Sequence, residues 1–267
     1  SAKTPVSDKK IVFNMKRNFI DEKEIDDKND KDDKFRLPII TTKKVPFITV
    51  CKELLFFIRG ETDSKILEKD NVNIWMKNTS REYLDSIGLT DYKEGEMGPM
   101  YGFQWRYFGK QYGSSHSGGD PGEDQLKKII NTIKNDPNNR SIMMTTFNPS
   151  VLKQCVLPPC HGVITQFYCP NDNELDCIMY QRSADMFLGV PFNITSYGLL
   201  LFLIAKCTKR KPRNLSIVFG DCHIYEEHYS VVKEQLARFI SKNNPIISLK
   251  QNIELNDVED LEKLKPE

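Results

Sequence analysis

The stretch LPPCHG at 157–162 holds Cys160 behind two prolines and directly before His161, one of four histidines in the chain. A thiol does nucleophilic chemistry as its thiolate, which a nearby cation, a histidine or a helix N-terminus favours by pulling the pKa below a reference of about 8.5. Neighbours on an extended chain point to opposite sides, so His161 is not placed to be the base of Cys160. A cation from elsewhere is required. On this hexapeptide alone, a cysteine in apolar surroundings reads more readily as small core filler than as a nucleophile.

A second cluster, YQRSADMFLGVPFN at 180–193, changes that balance. Gln181, Arg182, Ser183 and Asp185 crowd the end of a strand, and Pro191 with Asn193 lead into a strongly apolar helix. Adjacent arginine and serine suit a phosphate, through a guanidinium fork and a hydroxyl. An asparagine at the mouth of a buried helix can donate and accept at once, which suits the edge of a heterocyclic base. A surface ion pair for Arg182 and a plain N-cap for Asn193 are the alternatives; each is reasonable alone, less so both together. In DCHIY, His223 and Tyr225 lie two apart on a strand and so share one face.

These residues need elements to hold them. ITVCKELLFFIRG spaces Ile48, Cys51, Leu54, Leu55 and Ile58 as a helix with Gly60 at its C-terminal end, and Glu53 sits inside it. Ser80 is placed to cap a short helix, REYLDSIG. EDQLKKIINTIKND puts Leu126, Ile129, Ile130 and Ile133 on one helical face that ends near Pro137. MGPMYGFQWRYFG reads as a loop folded tightly into the body. SIMMTTFNP, GVITQFYC, ELDCIMYQRS and SIVFGDCHIY read as strands, a buried helix runs from about Asn193, and HYSVVKEQLARFI is a further helix. The order predicts one α+β domain over 1–267, with a large mixed β-sheet flanked by helices. Residues 21–35 are almost all charged and predict an exposed, mobile loop.

Lysine plus arginine number 38 against 37 acidic residues, so no net field draws in nucleic acid or a membrane surface. An anionic ligand must be held by a local cluster of cations. Seven cysteines, an odd number without a CxxC pair, predict thiols in a reducing compartment and no metal site. The start SAKTPVSDKK has no apolar signal core, and the longest apolar stretch, GLLLFLIA, is too short to span a bilayer. A cytoplasmic protein, with the nucleus also open, is the expectation.

Taken together, LPPCH, YQRSADMFLGVPFN, FGDCHIY, MGPMYGFQWRYFG and LPIITTKK resemble thymidylate synthase, nearly collinearly from about residue 36 to 240. The resemblance implies reductive methylation of dUMP to dTMP with 5,10-methylenetetrahydrofolate, through a covalent adduct at C6 of the base, releasing dihydrofolate. It implies Cys160 as nucleophile, Arg182 both on the phosphate and near the thiolate, where its charge depresses the thiol pKa, Ser183 on the phosphate, and Gln181, Asp185 and Asn193 around dUMP, with Asn193 at the uracil edge. His223 and Tyr225 match the ribose contacts. Glu53 matches the proton-transfer glutamate and Tyr101 the tyrosine of proton removal at C5. Trp75, Asn78 and Asp185 match folate positions. The family pairs as a homodimer, its sheet face at the interface, and Arg140 matches an arginine donated to the partner's phosphate site.

Three departures stand against this pattern. Ser141 replaces the second arginine of the donated pair, which predicts weaker dUMP binding. The family's RTGxGT segment is absent from KTPVSDKKIVF, where Lys3, Lys9 or Lys10 could supply charge but no bidentate fork. The family's closing tail does not follow LEKLKPE. An incomplete sequence and a divergent member of reduced activity compete as explanations of the last two, and incompleteness does not explain the first. The competing functions are a pyrimidine nucleotide hydroxymethylase and a low-activity relative that binds nucleotide or its own mRNA.

Overall fold

The structure, a computed structural model, describes residues 3–5, 10–14, 35–113, 121–240, 245–250 and 253–266. Its elements in chain order are β1 (Lys3–Pro5), β2 (Lys10–Asn14), β3 (Phe35–Arg36), α1 (Phe47–Ile58), α2 (Lys65–Lys69), α3 (Arg81–Ser86), α4 (Gly102–Tyr107), α5 (Gln125–Asn135), β4 (Met143–Met144), β5 (Ile164–Asn171), β6 (Glu174–Asp185), α6 (Gly189–Cys207), β7 (Lys211–Tyr225), α7 (Tyr229–Leu236), β8 (Ile246–Ile247) and α8 (Val258–Glu262). Residues 21–34 of the charged segment, and Lys9, lie outside the described residues. Phe35, which closed that expected loop, is instead fully buried in β3 and stacks on Phe202.

Strict alternation along β5 and β6 gives the sheet one buried and one exposed face, because successive strand residues point to opposite sides. The strand order is β1, β7, β6, β5, β4, with β2 also paired to β7. β6 and β7 are parallel and every other pair is antiparallel, so the sheet is mixed. The parallel pair requires a crossover, and α6 supplies it. Alternation lapses on both strands at one level: burial passes from Gln181 and Phe219 to Ala184 and Cys222, leaving Arg182 and Ser183 half-buried between.

α6 buries almost every side chain between the sheet and α1, as its all-round apolar composition demands. The eight-residue apolar stretch lies in the C-terminal half of this helix, which at 19 residues is long and apolar enough to cross a membrane; 89% of its apolar window is buried inside the fold. Each fully buried leucine or isoleucine on it contributes roughly 1.5–3 kcal/mol relative to exposure. α5 buries Leu126, Ile129, Ile130 and Ile133 as its spacing predicts, with Asp124 accepting from the Lys127 amide at its start.

Four expectations differ from the structure in detail. The helix expected from about Asn193 begins at Gly189, because Pro191 falls in its first turn, where the missing N–H is no loss. The supposed loop around Phe103 contains α4, which packs against α1. Ile48, one of the apolar residues at helical spacing in α1, is 40% exposed, while Phe56 and Phe57 are buried. The strand expected from Ser141 is only Met143–Met144.

Candidate active site

Cys160 sits half-buried ahead of β5, and its backbone is tied to the strands and helices around it. Its N–H donates to the Tyr101 hydroxyl at 3.0 Å, and its carbonyl accepts from the Arg182 N–H at 2.8 Å. Arg182 Nη2 lies 3.8 Å from Cys160 Sγ. The guanidinium is held there by the Pro158 and Pro159 carbonyls, each at 3.3 Å. The two prolines therefore present their carbonyls to the cation that faces the sulfur. A positive charge at this distance stabilises negative charge on sulfur. His161 is too buried to help as a cation, since desolvation pulls its pKa down to about 3. The other six cysteines are buried thiols, and burial pushes Cys51, Cys155, Cys169, Cys177 and Cys207 upward, Cys51 and Cys155 to about 12.

Tyr101 caps the N-terminal end of α4 at φ 39°, a backbone conformation uncommon outside glycine. Residues held in such regions persist where the surrounding structure fixes them, and Tyr101 is fixed by stacking on both Phe57 and His161, at 4.9 and 4.4 Å. Burial raises its phenol well above the usual tyrosine range, so it stays protonated. α1 brings Glu53 to the same region. Its Oε1 accepts from the Trp75 indole N–H at 2.9 Å, and desolvation outweighs that bond, pushing the carboxyl up to about 7.

The ends of β6 and β7 bring in the second group. Asn193, in the second turn of α6 and not at its cap, is 8% exposed; its Oδ1 accepts from Gln181 Nε2 at 2.9 Å. The same Gln181 nitrogen donates to the Ser183 carbonyl, and Gln181 Oε1 is buried with no hydrogen-bond partner among the described residues. Asp185 Oδ1 accepts from the amides of Phe187 and Leu188, both at 3.0 Å, fixing the entry to α6. His223 is opposite Asp185 in the strand register and meets Tyr225 edge-on at 5.1 Å. Asn78 is half-buried in a single 3-10 turn, Met76–Thr79, which follows Trp75.

Arg140 is not drawn into this cluster. It is exposed before β4, with its carbonyl accepting from Gln166, and Ser141 beside it is exposed as well. Sequence reading gave Lys43 no role, although its signal lay in LPIITTKK. Its ammonium bonds the Phe187 carbonyl and lies 3.6 Å from the centre of the Phe187 ring. Burial lowers its pKa, and the charge of Asp185 opposes that shift. Sequence reading also passed over Tyr197, whose hydroxyl meets His161.

Fold and site together define a class: an α+β protein in which an arginine faces a half-buried cysteine, beside a buried pair of side-chain amides. A family model, thymidylate synthase, matches residues 22–265. The chain belongs to the thymidylate synthase family. It is 51% identical over 202 residues to a thymidylate synthase of Herpesvirus ateles, covering 75% of this chain and 69% of that one. It is 51% identical over 205 residues to a bifunctional dihydrofolate reductase-thymidylate synthase of Leishmania major, and 44% identical over 238 residues to one of Zea mays. These matches cover 76% and 89% of this chain, which spans 39% and 42% of the length of those two relatives.

Proposed function

We infer that the protein methylates dUMP to dTMP, using 5,10-methylenetetrahydrofolate as co-substrate. The observation that carries this is Arg182 Nη2 at 3.8 Å from Cys160 Sγ, with the Asn193 and Gln181 amides joined nearby. The Cys160 thiolate adds to C6 of the uracil; the new S–C6 bond pushes the C5–C6 electron pair toward C5 and O4. Asn193 has its oxygen engaged by Gln181, which leaves its amide N–H groups as donors for O4 as charge develops there. That donor edge favours uracil over cytosine. Arg182 and Ser183 hold the phosphate, and His223 and Tyr225 the ribose. Departure of the C5 proton falls to Glu53, whose carboxyl titrates near 7 and so can accept or return a proton around neutral pH, with Tyr101, kept protonated by burial, beside it; once the methyl group is complete the C5–C6 double bond re-forms and expels the Cys160 thiolate.

The residues present fit a folate. Trp75 is half-buried with its N–H engaged by Glu53, which leaves an indole face for a flat ring, and Asp185 keeps one carboxylate oxygen without a partner among the described residues. When bound, methylenetetrahydrofolate supplies the methylene carbon and the hydride and leaves as dihydrofolate. The chain's own contribution is to orient it, with Asn78 and the Lys43-held Phe187 beside it.

The reading extends to a homodimer. Cross-strand partners on the open sheet face form an apolar patch: Ile164 opposite Tyr180, Met143 and Ile178 both opposite Gln166, and Tyr168. These side chains are 37% to 59% exposed, an unusual concentration for a free surface. A second copy covering this face would place each Arg140 near the partner's phosphate site. Incubating the protein with dUMP and methylenetetrahydrofolate should give dihydrofolate by absorbance and a product heavier than dUMP by one methylene. Absence of product at saturation would overturn the assignment, and a hydroxymethyl mass would redirect it.

A further inference from the structure

Tyr197 is almost fully buried on α6, one helical turn beyond Asn193 and on the same face. A phenol buried at that depth needs a hydrogen-bond partner. It finds one in His161 Nδ1, 3.1 Å from its hydroxyl, with the two rings edge-on at 84°. The approach depends on Gly162: a Cβ there would lie 2.1 Å from the Tyr197 oxygen, and the residue holds φ +64°. Thr146 fixes the same stretch by donating to the His161 and Gly162 carbonyls. His161 then stacks on Tyr101 at 4.4 Å and 20°, and the Tyr101 hydroxyl accepts the Cys160 N–H. An unbroken series of contacts joins α6, which carries the base-reading asparagine, to the backbone of the nucleophile.

We propose that Tyr197 is a positioning residue: its hydroxyl donates to His161 Nδ1, leaves the ring proton on Nε2, and seats the imidazole against Tyr101 so that Tyr101 holds Cys160. The imidazole is neutral, since burial pulls it down to about 3, so its two nitrogens differ and one hydroxyl is enough to choose between them. The role deepens the thymidylate synthase reading and rests on it for its effect on turnover. It adds a residue that touches no substrate.

The test is Tyr197→Phe in the full chain, read three ways. Nitrogen-15 NMR of histidine-labelled protein should show a single Nε2–H tautomer for His161 in the parent and a mixture in the variant. Alkylation of Cys160 by iodoacetamide, assigned by peptide mass against the six buried cysteines, should slow in the variant. The kcat for dUMP should fall roughly tenfold or more while KM stays within about twofold, as expected for a misplaced reacting group. An unchanged tautomer and alkylation rate overturn the proposal, even if the melting temperature falls. If the parent turns over no dUMP, the NMR and alkylation readings still decide the role of Tyr197, and only the functional assignment fails. Gly162→Ala places a methyl group where the hydroxyl lies. It should reproduce the tautomer mixture and the slowed alkylation, and equal effects with and without the Tyr197 hydroxyl would count against the contact.

Discussion

Cys160 and Arg182 are 22 residues apart in sequence, yet the arginine contacts the sulfur and the adjacent histidine does not activate it. Replacing Cys160 by serine removes the polarisable nucleophile but keeps its volume. Turnover should be lost below detection while the melting curve is unchanged, and residual activity would show that another group attacks the base. Asn193→Asp exchanges a donor edge for acceptors, so selectivity should move from dUMP toward dCMP, measured as the ratio of kcat/KM. Glu53 carries a pH prediction. Folded Glu53 holds its proton up to about pH 7, whereas the unfolded chain releases it near 4.5. Its contribution to stability is thus fully present below 4.5 and is lost as pH rises through about 7. Glu53→Gln keeps the acceptor for Trp75 and removes the titration. Denaturant unfolding should show the variant gaining about 3 kcal/mol over the parent at pH 8 and nothing at pH 4.

At the scale of elements, α5 was legible because its apolar residues repeat with one helical face, and the cap expected at Ser80 accepts from the Tyr83 amide. α4 was not. Its glycines and aromatics mask a helix set by packing: a Cβ at Gly102 would lie 2.5 Å from the Phe57 carbonyl oxygen and 2.7 Å from its Cα, so α4 exists where glycine lets it lie against α1. Gly102→Ala must separate the two helices and move Tyr101 with them. It should cost roughly 1–3 kcal/mol in chemical unfolding and lower kcat more than the melting curve alone would suggest. A variant with parental stability would show that the helices can part freely. The start of α6 was misplaced by four residues because Pro191 reads as a boundary, although the first helical turn accepts it.

For the whole molecule, the open sheet face and Arg140 lead to one expectation about assembly. Ile178→Glu places a charge in the middle of the apolar patch and should shift sedimentation from dimer to monomer, with loss of activity that added dUMP does not restore. Ser141→Arg restores the missing cation and should lower KM for dUMP by about fivefold, the equivalent of ~1 kcal/mol for one added charged contact; no change would place Ser141 away from the phosphate. The sequence by itself determined the residue types of the site, the family they resemble, and every element whose burial follows a single period, because periodicity and motif spacing are local properties of the chain. Only the tertiary structure decided how closely Arg182 faces Cys160, that burial keeps His161 neutral, and that Tyr197 reaches His161 past Gly162. Those depend on distance and desolvation between segments remote in sequence. LPPCHG supplies the cysteine; the fold around it selects the cation that faces its sulfur.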